Sequence, residues 1–193
     1  MDCIDELEQK VRGILGSKDT DLQPYDLQST SISARNNFKH GYFKIAVEKA
    51  AKVVRACELL GDNNTDRQAF ELCNLSRYID SLFNSSDYKY IDAMFERENI
   101  NNLYLLYAEL NETAAGLFQR CLETGSSEKR RYKKSLAHSF RRAALGYALA
   151  GNAEKANDYL EKSDKHSKDL HYNTRNWGNE VRKHLKRASK KPS

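Results

Sequence analysis

Proline is nearly missing from this chain. Pro24 and Pro192 leave residues 25–191 without one, and glycine adds only 9 residues of 193. Average usage would put the two together near roughly 12% of a chain. So few breakers argue against a turn-rich β-sandwich or barrel, and against collagen-like or Pro-rich disordered chains. Long apolar runs are missing too. No stretch approaches the roughly 18 apolar residues of a membrane-spanning helix, so no membrane partner is expected. The opening Met1-Asp2-Cys3-Ile4-Asp5-Glu6 is acidic where a signal peptide is basic and then apolar. The expected location is cytoplasmic. The four cysteines, Cys3, Cys57, Cys73 and Cys121, form no C-x-x-C pair and read as reduced small hydrophobes.

Signatures of chemistry are also missing. The chain has no G-x-x-x-x-G-K-[ST], no G-x-G-x-x-G, no H-E-x-x-H and no paired cysteine ligands. No Ser or Cys sits in a nucleophile turn. His166 and His171 straddle an expected helix end and read as surface residues. The expectation is a protein that is not an enzyme, with no cofactor, no metal and no catalytic residue.

What is present is charge and helical periodicity. Charged residues make up 31% of the chain and hydrophobic ones 39%. Apolar residues recur at steps of three and four, which is the mark of amphipathic helices. Ile4, Leu7, Val11 and Ile14 make the first stripe, closed by Gly16. Residues 26–39 follow, with Leu27, Ala34 and Phe38 inward. Residues 42–60 place Ile45, Ala46, Ala50, Val53, Val54 and Cys57 on one face. A helix from residue 65 or 66 to about 83 runs through Phe70, Cys73, Leu75, Ile79 and Leu82, and a shorter one spans 88 to about 97. Leu103, Leu106, Leu110, Leu117, Phe118 and Cys121 mark a long helix ending at 122. Helices over 128–150 and 153–165 follow, and a last stripe carries Trp177, Val181 and Leu185. The total is eight or nine helices and no strand.

Charge is unevenly spread. Residues 1–128 hold 14 Lys/Arg and 21 Asp/Glu, a net of −7. Residues 129–193 hold 18 Lys/Arg and 6 Asp/Glu, a net of +12. Such asymmetry points to an acidic partner, to nucleic acid, or to pairing between the two parts, within one chain or in a homodimer. Its centre is Lys129-Arg130-Arg131-Tyr132-Lys133-Lys134, with Arg141-Arg142 beyond it. On a helix, Arg131, Lys134, His138, Arg141 and Arg142 come near one side, as a positive patch.

Gly151-Asn152-Ala153-Glu154-Lys155-Ala156 lies between two amphipathic segments. Glycine accepts φ > 0 and lets the chain turn back, and a small residue five positions on lets the second helix lie close. With Phe140, Ala144, Tyr147, Ala156 and Leu160 in step, residues 137–171 resemble a tetratricopeptide repeat. Ser163 stands where that family usually has Ala, and Lys168 near where a Pro often ends the unit. A weaker copy covers residues 34–57: Gly41 to Ala46 repeats the spacing, and Ala34 precedes Gly41 as Ala144 precedes Gly151. Asn37 holds its aromatic position, with Phe38 one residue late. The resemblance implies an all-α fold, a right-handed stack of antiparallel helical hairpins. It would form a single domain over 1–187, followed by a basic frayed tail at 188–193. A C-terminal capping helix would turn Trp177, Val181 and Leu185 inward and Arg182, Lys183, Lys186 and Arg187 outward.

Such a stack implies a groove into which His138, Arg141, Leu145 and Ala148 project. Arg141 matches a cationic position of peptide-binding members. Leu145 replaces the Asn of their carboxylate clamp, which favours an acidic helix or strand over a chain terminus. The expected function is a non-enzymatic adaptor or scaffold. It would hold an acidic protein segment through Lys129, Arg130, Arg131, Lys134, His138, Arg141, Arg142 and Leu145. The hairpin over 34–58 is also similar to the opening of nucleotide-binding HEPN domains, some of which are ribonucleases. There an Arg and a His act on RNA at a dimer cleft. Arg131 and His138, with six residues between them, would be that pair, and nucleic acid would be the partner.

Overall fold

A computed structural model describes residues 4–61, 65–84, 97–124, 127–168 and 175–188. These form eight α-helices: α1 (Ile4–Leu15), α2 (Asp26–Lys39), α3 (Phe43–Leu59), α4 (Thr65–Asn84), α5 (Arg97–Glu123), α6 (Lys129–Leu149), α7 (Ala153–Lys168) and α8 (Arg175–Ala188). Among the described residues there is no strand. The fold is all-α, and within each unit helices pack in sequence order, α2–α3, α3–α4 and α6–α7 as antiparallel neighbours. The helix expected from residue 88 lies outside the described residues up to 96. So do Cys3, His171, residues 189–193 and the side chains of Trp177 and Arg187. The helices gather into two compact units, residues 1–99 and 100–193.

In the first unit α3 is the central helix and packs against α1, α2 and α4. Its buried residues are mostly small: Ala46, Val47, Ala50, Ala51, Val53, Val54, Ala56 and Cys57. Small side chains let three neighbours approach one helix axis closely. Burial raises the Cys57 thiol to about 11, so it stays a neutral hydrophobe. Ile45, expected inward, is 45% exposed, because it falls on the arc of α3 that the three neighbours leave open. Leu7, Val11, Leu27 and Ala34 face the core as their periodicity predicts. On α4, Phe70 and Cys73 are only half-buried, while Glu71 and Ser76 are buried beside Leu72 and Leu75. Glu71 can be buried because Ser31 donates to one carboxylate oxygen at 2.6 Å and Asn74 to the other at 3.3 Å.

In the second unit α6 takes the central place. Leu136, Phe140, Ala144, Tyr147 and Ala148 are buried along it, and α7 and α8 both pack on it. Gly146 lets α5 come close: a Cβ there would sit 2.8 Å from the Ala108 Cβ and 2.9 Å from its backbone N. Ser163 of α7, at a position where alanine was the family expectation, donates to the Ala137 carbonyl of α6 at 2.9 Å. His166 lies in the last turn of α7 but is half-buried rather than a surface residue, because its ring packs on that of Phe140, centres 5.5 Å apart. Val181 turns α8 inward, while Arg182, Lys183 and Lys186 face out.

The α2–α3 and α6–α7 turns are built alike. Gly41 and Gly151 have φ of 81° and 82°. Gly41 N–H donates to the Phe38 carbonyl and Tyr42 N–H to that of Asn37. Gly151 N–H donates to Ala148 and Asn152 N–H to Tyr147, at the matching offsets. This is the Schellman pattern, which satisfies the last carbonyls of a helix and reverses the chain. The small residues on either side also match in burial: Ala34 with Ala144, and Ala46 with Ala156.

Candidate partner-binding face

With Gly41 laid on Gly151, Asp26 at the start of α2 falls on Leu136 of α6. Residues 129–135 are therefore two turns that the first hairpin lacks, and they are the basic run. Lys129, Arg130 and Arg131 fill the first turn of α6, and Lys133 and Lys134 follow. All five are exposed. The first turn carries no acid, and Glu128 at the N-cap makes no side-chain cap hydrogen bond. Glu128 instead meets Arg131 at 2.7 Å. A helix N-terminus carries a partial positive charge, so each cation there costs about 0.3–1 kcal/mol. The sequence places its densest positive cluster where helix electrostatics disfavours it most.

Farther along, the face divides. His138, Arg142 and Leu145 are half-buried. Arg141, expected on the partner-facing side, is 5% exposed, and Ala148 is equally buried. The reason is the central place of α6: its neighbours cover a wide arc, and these two positions fall on the arc's border. The Arg141 guanidinium donates to His138 Nδ1 at 2.6 Å. Burial, and then the charges of Arg141, Arg142 and Lys134, lower the His138 pKa to about 4. Because Nδ1 accepts, the hydrogen bond assigns the ring proton to Nε2. His138 is thus neutral at pH 7 and adds no charge to the patch. Of the eight expected partner residues, the structure gathers Lys129, Arg130, Arg131 and Lys134 as exposed cations at one end. It places His138, Arg142 and Leu145 as a less accessible continuation.

A polar cluster escaped sequence reasoning. Tyr147 of α6 donates to the Glu112 carboxylate of α5 at 2.5 Å, and Tyr159 of α7 donates to the same group. The two tyrosine rings stack with centres 5.6 Å apart. Lys155 lies 4.7 Å from the Tyr147 ring centre and Lys162 lies 4.5 Å from that of Tyr159. Burial pushes the Glu112 carboxyl up, but the two hydroxyls and the two lysines bring it below its ordinary value. Both tyrosines are raised, by burial first and then by Glu112, so the carboxylate stays charged and the phenols neutral. The available signal was that an inward tyrosine needs a partner for its hydroxyl. Nothing in the sequence singles out Glu112 among the carboxylates.

No described helix is long and apolar enough to cross a membrane. No family model, curated protein or solved structure matches the chain.

Proposed function

We propose that this chain is a non-enzymatic adaptor that holds an acidic segment of a partner protein on the basic start of α6. One observation carries the reading. Five exposed cations crowd two extra turns at a helix N-terminus, and the three in its first turn oppose the helix dipole, with Glu128 pairing to Arg131. A helix under selection for stability alone would carry acids there, so a local rule is broken without structural gain. The tetratricopeptide-like reading draws on the matched turns at Gly41 and Gly151. The ribonuclease reading has less behind it. Arg131 is paired with Glu128, and His138 has Nδ1 engaged by Arg141 and a pKa too low for an effective base at neutral pH.

The test is binding of a Glu/Asp-rich peptide to the full chain, followed by fluorescence anisotropy at low and high salt. Replacing Lys129, Arg130, Lys133 and Lys134 with Ser should weaken binding roughly 30-fold or more and flatten its salt dependence. The same variant should unfold at about the same denaturant concentration, since relief of the dipole conflict at Lys129 and Arg130 offsets the lower helix propensity of Ser. Unchanged peptide affinity would overturn the adaptor reading. Stronger binding of a single-stranded RNA of equal charge would put nucleic acid in the peptide's place.

A further inference from the structure

The first unit carries a separate cationic site that the adaptor reading does not use. Phe38 of α2 stacks on Tyr78 of α4, with ring centres 4.6 Å apart and planes 29° apart. Phe43 of α3 closes one side edge-on at 5.4 Å from Phe38. Tyr78 is buried, so the platform is fixed by three helices. The guanidinium of Arg77 bridges both rings, its Cζ 5.3 Å from the Phe38 centre and 5.7 Å from that of Tyr78. Arg35, one turn before Phe38, donates to the Tyr78 hydroxyl from the other helix. Two guanidinium groups from two helices therefore meet on one tyrosine.

Both arginines are exposed. Among the described residues no ion pair joins either one to a carboxylate. Glu71, the acid that acts on Tyr78, engages its two oxygens with Ser31 and Asn74. The surrounding unit gives no diffuse positive field: residues 1–99 hold 13 Lys/Arg against 17 Asp/Glu. Any anion held here is held by local geometry.

Stacking on rings restrains a guanidinium before a ligand arrives, which lowers the ordering cost of binding. Such a group still offers in-plane N–H donors in a fork that matches an oxyanion. One carboxylate satisfies one fork. A phosphomonoester carries a charge near −1.5 to −2 and three acceptor oxygens, enough for both. We propose that Arg77, held against the Phe38–Tyr78 stack, and Arg35, held on the Tyr78 hydroxyl, form a binding site for a phosphomonoester group. The group comes from a phosphorylated side chain or from a small phosphate ester, and the chemistry at the arginines is the same.

The experiment is a titration of the full chain, followed by the Arg side-chain N–H signals in NMR and by calorimetry. The probes are a phosphoserine peptide, its unphosphorylated form, its Glu-substituted form and phenyl phosphate. Signals of Arg35 and Arg77 should shift with the phosphopeptide and not with the unphosphorylated one. Arg35→Lys and Arg77→Lys, which keep charge but lose the planar fork, should each weaken binding roughly tenfold or more. Ser substitutions at Lys129, Arg130, Lys133 and Lys134 remove acidic-peptide binding at the start of α6, and in that chain the Arg35 and Arg77 signals should still shift with the phosphopeptide. Phenyl phosphate binding as tightly as the phosphopeptide supports the site and identifies a small ester as the source. Tighter phosphopeptide binding supports it and identifies a modified protein. Equal shifts of the Arg35 and Arg77 signals with the Glu peptide overturn the proposal, as do unmoved signals of these two arginines with the phosphopeptide in the unmutated chain. The second readout decides even where a Lys variant fails to fold.

Discussion

The hairpins α2–α3 and α6–α7 share a turn and little else. Each ends its first helix on a positive-φ glycine, and each keeps alanine at the two close-approach positions. The side chains between those fixed points differ in kind. Asn37 of the first hairpin folds back on the Ser33 carbonyl of its own helix, while Tyr147 at the matching place reaches across to Glu112 of α5. Exposed Asn36 matches Gly146, which sits against α5. Gln28 matches His138, and the basic extension of α6 has no counterpart. The comparison separates two tasks. Turn and small residues determine the hairpin, and the remaining positions determine what it packs against and binds.

The largest break in that comparison is expected at Gly146. Gly146→Ala adds a Cβ that meets Ala108 Cβ, Tyr107 Cδ1 and the Ala108 backbone N at under 3 Å. Overpacking should outweigh the gain in helix propensity and leave a loss of about 2–3 kcal/mol in denaturant unfolding. Asn36→Ala, at the same place in the exposed copy, should change stability by less than about 0.5 kcal/mol.

A smaller difference should appear with pH. His138 is held neutral with a pKa near 4, against 6.5 in the unfolded chain. Its folded value is depressed, so the native state is favoured above pH 6.5 and loses that advantage as pH falls toward 4. Discounted for residual solvent, the loss should be about 2 kcal/mol. His138→Gln, which copies Gln28 of the first hairpin, should remove this part of the acid sensitivity from unfolding curves measured across that window.

The smallest effect should show sameness instead. Nothing lies within 4 Å of a Cβ built on Gly41 or Gly151, so the cost of alanine is conformational in both. Gly41→Ala and Gly151→Ala should each lower stability by about 1 kcal/mol, and equally to within about 0.5. Unequal losses would mean that the two turns are held by their surroundings and not by their own hydrogen bonds.

Where the sequence could be read, local physics was in charge. Helix limits and the turns at Gly41 and Gly151 depend on caps, breakers and periodicity within a few residues. The long stripe from Leu103 to Cys121 faces inward throughout, because one face of a helix is a local property. Ile45 and Arg141 were misplaced because their burial depends on how many neighbours a central helix has. An apolar residue on the open arc stays out, and a cation on the closed one goes in. The exposed cations were legible at 129–134, where charge density is a sequence property. The Glu112 cluster and the Phe38–Tyr78 platform were not, since each joins residues from different helices.

Every packed pair described within a unit joins helices at most two steps apart along the chain. Contacts that local belong to folds that form in about microseconds to milliseconds. Synthesis adds only about 5–20 residues per second. During translation the α1–α4 core therefore has time to form before Lys129 is added. The 18 cations of residues 129–193 are thus added after the acidic first unit has folded, when it is no longer a loose acidic chain that could trap them.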